Sequence, residues 1–147
     1  MRSMVLLAAA AAATISLSVS STPTSATVRI VNDYGGQIGP YLEQFAALRH
    51  SGEQVIIDGP CLSACTMVLG VIPRDRICVT PRARLGFHAA WNPGGDGAPI
   101  LSRGGTQLLM EVYPQNVRQW INRRGGLKQR MVFLTGRELA SMYRTCR

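Results

Sequence analysis

A strand–helix–strand pattern over residues 27–58 limits the possible folds more than any other feature of the sequence. Residues 27–32 alternate in polarity and are rich in β-branched side chains, which predicts a strand. Apolar side chains then recur at helical spacing from 39 to 50, and residues 55–58 (Val-Ile-Ile-Asp) predict a second strand. Because a strand, a helix and a strand in about 30 residues form a right-handed parallel crossover, the chain is of the α/β class.

The rest of the chain continues this alternation. Ser63 begins an apolar run that predicts a buried helix with Ser63 at or near its N-cap. Residues 92–105 contain five glycines and two prolines, which predicts a loop or lid near His88. We therefore predict one domain over residues 27–147, with a mainly parallel sheet and flanking helices. The remaining predicted elements are strands at 76–80 and 83–88, a helix at 108–123 interrupted at Pro114, an extension of the helical layer at 127–133, and a last helix at 136–143.

Residues 1–26 have the pattern of a secretory signal peptide. A charged start is followed by an apolar run from Val5 to Ile15 and by small and polar residues up to Ala26. The run is shorter than the roughly 20 apolar residues that span a bilayer, which favours cleavage after Ala26 over a retained membrane anchor. We therefore expect a periplasmic or secreted protein.

Four cysteines, Cys61, Cys65, Cys78 and Cys146, lie beyond the predicted cleavage site. An even number of cysteines in an exported chain indicates disulfide bonds, and four cysteines allow three pairings. The pairing of Cys61 with Cys65 and of Cys78 with Cys146 is favoured because the first two are neighbours around one turn. Cys61 and Cys65 could instead supply two ligands to a metal, but an oxidising compartment favours bridges, and we expect neither a metal nor a cofactor.

The formal net charge is +8, with 16 basic and 8 acidic residues, and Lys128 is the only lysine. A nucleic-acid-binding protein concentrates such charge on one element and interleaves aromatic residues, whereas the arginines here are scattered. The pattern predicts solvated faces and no nucleic-acid partner, with attraction to anionic envelope surfaces as the weaker alternative. One short basic cluster comprises Arg123, Arg124, Lys128 and Arg130.

The sequence offers a candidate for each requirement of acyl transfer by a serine, namely a nucleophile, a base and donors for the oxyanion. Ser63 lies where a strand is predicted to turn into a helix. His88 follows a predicted strand, whereas the other histidine, His50, lies at a helix end, where a surface capping role is typical. The N–H groups of Ala64 and of the turn at Gly35 could bind the oxyanion.

Three segments in this order resemble the proteolytic subunit of Clp protease and its exported relatives: Val31-Asn-Asp-Tyr-Gly-Gly, Ile57-Asp-Gly-Pro-Cys-Leu-Ser-Ala-Cys, and the stretch from Arg76 to His88. In that family a Gly-Gly oxyanion loop ends a strand, a serine opens a buried helix, and a histidine follows an Arg-containing strand and a proline turn. The 25 residues from Ser63 to His88 match the family's spacing. The resemblance implies a Clp-protease/crotonase-like fold and a serine peptidase in which Gly35 and Ala64 hold the oxyanion.

The third catalytic residue of that family, an acid, is missing. If residues 133–135 align with the segment before the family's last helix, the acid position holds Met131, and Glu138 is the only later carboxylate. A backbone carbonyl or Asn116 could orient His88 instead. A Ser/Lys dyad would need Lys128, whose basic surroundings favour a solvated role.

These features lead to one main hypothesis and two alternatives. The main hypothesis is an ATP-independent serine hydrolase, best described as a peptidase, that acts on a peptide or protein substrate. Since the family's N-terminal segments are lacking, we expect no ATPase partner, and a homo-oligomer stays open. The first alternative is a catalytically silent relative that binds peptide strands along its sheet edge as an envelope module. The second is a purely structural envelope protein.

Overall fold

The computed structural model describes residues 26–147, so the predicted signal peptide lies outside the described residues except for Ala26. Nine strands and five α-helices are present in this part of the chain. In order they are β1 (Thr27–Ile30), α1 (Ile38–Ser51), β2 (Gln54–Ile57), β3 (Pro60–Leu62), α2 (Val68–Val71), β4 (Ile77–Val79), β5 (Arg84–Phe87), β6 (Trp91–Pro93), β7 (Pro99–Leu101), α3 (Arg103–Val112), α4 (Gln115–Arg123), β8 (Val132–Thr135), α5 (Gly136–Met142) and β9 (Arg144–Thr145). Short 3₁₀-helices occupy Ser63–Met67 and Arg74–Arg76.

The larger sheet contains four parallel strands in the order β1-β2-β4-β9. The side chains of Val55 and Ile57 in β2 are fully buried. Helix α1 connects β1 to β2 and contributes Phe45 and Leu48 to the same core. The predicted crossover and the mixed α/β class with a mainly parallel sheet are therefore confirmed.

A second sheet contains β3, β5 and β8. Strands β3 and β5 are parallel, whereas β8 runs antiparallel to β5 and pairs Leu134 with Leu85. The prediction that residues 127–133 extend the helical layer is therefore wrong, since residues 127–131 form no helix and Val132 and Phe133 belong to β8. Both side chains suit a strand, and the pairing buries Leu134 completely.

The glycine-rich segment 92–105 is more regular than predicted. Strands β6 and β7 form an antiparallel hairpin, and α3 already begins at Arg103. The hairpin turn uses Gly97 at φ +81°, a conformation that glycine adopts without steric cost. Ser102 caps α3, because its hydroxyl oxygen accepts a hydrogen bond from Gly105 N–H.

Two disulfides cross-link the described part of the chain. Cys61 bonds to Cys65 and Cys78 bonds to Cys146, which is the pairing that the sequence favoured. The second bridge attaches the end of the chain to β4 of the larger sheet. Two such bonds indicate an oxidising, extracytoplasmic compartment. Within residues 26–147 we find no helix of the length and apolarity needed to cross a membrane.

Candidate active site

Ser63 has an unusual backbone conformation. Its φ of +56° makes it the only non-glycine residue among residues 26–147 in the left-handed region. Such a conformation costs an L-residue roughly 1 to 2 kcal/mol, so its surroundings must hold it in place. Ser63 begins the 3₁₀-helix rather than capping it, since Leu62 occupies the cap position. The prediction that Ser63 lies at or near the N-cap of a buried helix is therefore confirmed, although no side chain caps this helix.

The hydroxyl of Ser63 contacts His88. Ser63 Oγ lies 2.8 Å from His88 Nε2. The register of the second sheet explains this proximity, because Leu62 at the end of β3 lies opposite Gly86 near the end of β5. The residues that follow two parallel neighbouring strands meet at the same sheet edge. The distance is suited to proton transfer between the hydroxyl and the imidazole.

The other ring nitrogen of His88 contacts the main chain. His88 Nδ1 lies 2.7 Å from the carbonyl oxygen of Ala89. Because a carbonyl only accepts, Nδ1 carries a proton in this contact, and Nε2 of the neutral ring is left to accept from the Ser63 hydroxyl. Of the two groups that the sequence left open as partners for His88, the structure thus brings a backbone carbonyl to the ring.

The alternative partners of His88 are engaged elsewhere. Glu138 forms an ion pair with Arg124, at 2.7 Å. Lys128 Nζ lies beside Gly125, and neither Lys128 nor Asn116 is among the residues that line the cavity at Ser63. The structure therefore does not bring these side chains to the Ser63–His88 pair.

The turn before α1 contributes to the site through its main chain. Gly35 N–H donates to Asp33 Oδ1 at 2.8 Å, so this N–H already has an acceptor. Gly36 N–H has no partner within the described residues, and Gly36 lines the same cavity as Ser63 and Ala64. Ala64 N–H lies in the first turn of the 3₁₀-helix, where N–H groups have no acceptor within the helix. The Gly36 and Ala64 N–H groups are therefore available as donors at this cavity, whereas the Gly35 N–H is already engaged.

The side chain of Asp33 holds that turn in place through hydrogen bonds. Besides the Gly35 bond, its Oδ1 accepts a hydrogen bond from the Tyr41 hydroxyl, at 2.5 Å. Burial, together with this bond to a carboxylate, raises the pKa of Tyr41 to about 12. The tyrosine therefore stays protonated and keeps donating at physiological pH. The main chain of Asp33 also bonds to β3, through Pro60 and Leu62.

A buried hydrogen-bond network formed by Thr66 and Tyr113 supports the Ser63 backbone. The Thr66 hydroxyl donates to Ser63 C=O at 2.6 Å and lies 2.6 Å from the Tyr113 hydroxyl, which can donate to it. Burial raises the pKa of Tyr113 to about 12, although the bond to Thr66 acts in the opposite direction. The sequence carries no signal for this hydrogen-bond network, because Thr66 and Tyr113 are 47 residues apart and lie in different parts of the fold.

A cavity of about 690 Å³ opens above Ser63 and His88. Tyr34 and Trp91, which are 67% and 50% exposed, lie at its rim, and β6 of the hairpin supplies one wall. Met131 also lines the cavity. No charged side chain is among its lining residues, which are Tyr34, Gly35, Gly36, Gln37, Ile38, Ser63, Ala64, His88, Ala90, Trp91, Asn92, Pro93, Ser102, Gly105, Leu109 and Met131.

Comparisons with known protein families and with curated proteins found no match. The assignment of a function therefore depends on the geometry of the site. Within residues 26–147 no group of three or more His, Cys, Asp or Glu side chains could hold a metal ion. What the site offers chemically is a hydroxyl paired with an imidazole, two main-chain donors and an uncharged cavity.

Proposed function

We propose that this chain is an ATP-independent serine hydrolase, acting as a peptidase in the periplasm or cell envelope. The observation that carries the proposal is the contact of 2.8 Å between Ser63 Oγ and His88 Nε2, made by a serine held at positive φ. Backbone strain of this kind is typical of residues that function requires in one orientation. A cavity large enough for a peptide segment supports the same proposal.

The residues can perform acyl transfer in two steps. Ser63 Oγ attacks the acyl carbon of the substrate while its proton passes to His88 Nε2, and the carbonyl oxygen becomes an oxyanion bound by the Gly36 and Ala64 N–H groups. When the bond to the leaving amine breaks, His88 returns the proton to that amine. Water then repeats the sequence on the acyl-enzyme, which releases the acid and restores Ser63.

We further propose that the domain has the Clp-protease/crotonase-like fold that the sequence resembles. The parallel crossover from β1 to β2 supports this, as does the position of the glycine turn beside the serine. The order of the glycine turn, the serine and the histidine along the chain supports it as well. The main departure is the Ala89 carbonyl in the place of an acid.

A catalytically silent peptide-binding module is the second candidate. It is favoured by the absence of a carboxylate from the residues that line the cavity. In a Ser-His-Asp triad the loss of the acid lowers turnover by about 10⁴. The two candidates differ in whether Ser63 is activated, since a silent relative would still bind peptides in the cavity.

Labelling of the oxidised domain with a fluorophosphonate probe tests the proposal, because the probe forms a bond to an activated serine only. We expect labelling of the wild type, no labelling of Ser63→Ala, and strongly reduced labelling of His88→Ala. Ser141→Ala is the matched control, since Ser141 is exposed, donates a hydrogen bond to the Glu138 carbonyl, and is not among the residues that line the cavity. Failure of the folded wild type to react would eliminate the hydrolase and leave the binding module.

A further inference from the structure

The peptide group between Ala89 and Ala90 connects His88 to α3. Its carbonyl oxygen, from Ala89, accepts the bond from His88 Nδ1 at 2.7 Å. Its N–H, from Ala90, donates to Thr106 Oγ1 at 3.0 Å. Since a peptide group is planar and its N–H and C=O point in opposite directions, fixing the N–H fixes the direction of the carbonyl.

Thr106 is itself held in place. Its hydroxyl donates to Ser102 C=O at 2.8 Å, and Ser102 N–H donates back to Ala90 C=O at 2.8 Å. Ala90, Thr106 and Ser102 therefore form a closed set of three hydrogen bonds at the first turn of α3. A hydroxyl that donates one bond while it accepts another polarises both of them, which strengthens the bond that it accepts from Ala90.

The Ala89–Ala90 peptide group is also protected from competing partners. Ala89 and Ala90 are 4% and 9% exposed, so little water reaches the peptide group. On the other side of Ala89, its N–H donates to Lys128 C=O at 2.8 Å, which anchors the preceding peptide group. If the Thr106 hydroxyl were lost, the Ala90 N–H would be buried without an acceptor and the peptide group would be free to tilt.

We propose that Thr106 is a positioning residue for His88, acting through the Ala89–Ala90 peptide group, which replaces the acid of a catalytic triad. This inference rests on the proposed function for its catalytic meaning. Thr106 is not among the residues that line the cavity at Ser63. It sets the direction of the carbonyl that keeps the proton on Nδ1 and leaves Nε2 as the base.

The tautomer of His88 tests the proposal without requiring activity. Proton–nitrogen NMR spectra of the folded, oxidised domain at neutral pH report which ring nitrogen carries the proton. We expect the Nδ1–H form in the wild type and in Thr106→Ser, which keeps the hydroxyl. In Thr106→Val, which removes only the hydroxyl, we expect a mixture of the two tautomers. Thr145→Val, at an exposed position in β9, is the matched control and should resemble the wild type.

The rate of fluorophosphonate labelling provides the second readout. Loss of one hydrogen bond at this position should slow labelling roughly tenfold in Thr106→Val and leave Thr106→Ser and Thr145→Val unchanged. If Thr106→Val does not fold, Thr106→Ala removes the same hydroxyl with a smaller side chain.

The outcomes separate the two proposals. A Thr106→Val protein with an unchanged tautomer and an unchanged labelling rate would overturn the positioning role and leave the hydrolase intact. A wild type that never reacts with the probe, but whose tautomer depends on Thr106, would support the positioning role and eliminate the hydrolase. Finding the Nε2–H tautomer in the wild type would overturn the positioning role directly.

Discussion

Gly35 packs so closely against Ser63 that a Cβ atom on Gly35 would lie 2.6 Å from Ser63 Cβ. The same atom would overlap Leu62 O, a backbone atom that cannot rotate away. The turn before α1 and the turn that presents Ser63 therefore form one packed unit. Glycine is required at position 35 for this contact and for its φ of +80°.

Gly35→Ala should consequently destabilise the domain and disable Ser63. The left-handed backbone would cost roughly 1 kcal/mol. The overlap would add about 1 to 3 kcal/mol as the serine turn moves away. We expect a loss of about 3 kcal/mol in the free energy of unfolding, measured by urea denaturation, together with the loss of fluorophosphonate labelling.

Gly52→Ala provides the matched control for this substitution. Gly52 ends α1 at φ +79°, and nothing lies within 4 Å of the position that a Cβ would occupy. Only the cost of the left-handed backbone remains, so we expect the free energy of unfolding to fall by about 1 kcal/mol and labelling of Ser63 to stay normal. Equal destabilisation by the two substitutions would show that the contact between Gly35 and Ser63 is not tight.

The sequence predicts the elements that depend on local pattern. Helix α1 and strand β2 follow from apolar periodicity. The pairing of Ser63 with His88 is implied by the family resemblance rather than by local pattern, because strand β3, which ends just before Ser63, is not among the predicted elements. Strand β8 was missed because a short apolar segment such as 132–135 suits a helical layer equally well until its pairing partner is known. The strained backbone of Ser63 was missed as well, because a serine before an apolar run is typical of an N-cap.

The main-chain contacts of the site have no signature in the sequence. That the Ala89 carbonyl faces His88 depends on the direction of one peptide group, which is set by Thr106 on another element. That Gly36 rather than Gly35 offers a free N–H depends on the rotamer of Asp33. Residue types indicate which side chains can react, whereas tertiary packing decides which backbone groups face them.

Asp58 should make the fold sensitive to acid. Its carboxylate is 4% exposed and accepts hydrogen bonds from Arg82, Thr80 and Arg29. The bonds from Arg82 and Thr80 lower the pKa of Asp58 well below its ordinary value, although burial opposes this shift. A carboxyl whose pKa is lowered by folding stabilises the fold above its unfolded pKa, near 4. That stabilisation is lost as the pH falls further.

The Asp58→Asn variant tests this contribution. It should be less stable than the wild type at neutral pH, because two arginines lose their carboxylate partner. It should also lose less stability than the wild type between pH 5 and acidic pH. Asp75→Asn, at an exposed position, is the control and should keep the wild-type pH profile in urea denaturation. If the stability of Asp58→Asn fell with pH as steeply as that of the wild type, Asp58 would not be the source of the acid sensitivity.

Three tyrosines should resist ionisation. Burial is the leading cause that raises the pKa of Tyr41, Tyr113 and Tyr143 to about 12. Because folding favours their neutral forms, the stability that they contribute is complete below about pH 10 and is lost as the pH rises towards 12. An ultraviolet titration of tyrosinate should show these three ionising late, together with unfolding. Their ionisation near pH 10 in the folded domain would contradict the burial.

The two disulfides should differ in what they stabilise. Cys78 and Cys146 are 68 residues apart, so their bond closes a long loop, whereas Cys61 and Cys65 are separated by four. From loop entropy, replacing both cysteines of a pair with alanine should cost about 4 kcal/mol for the long loop and about 2 kcal/mol for the short one. Urea denaturation of the two double variants measures this difference.

Labelling of Ser63 should show the opposite order. The short loop encloses Ser63, so its loss frees the serine turn, and a displacement of about 1 Å can lower reactivity a hundredfold. The Cys78–Cys146 bond lies in the larger sheet, and its loss should leave the labelling rate of the folded fraction unchanged. If removal of the Cys61–Cys65 bond left labelling at the wild-type rate, the positive φ of Ser63 would have to be maintained by Thr66 and Gly35 without the bridge.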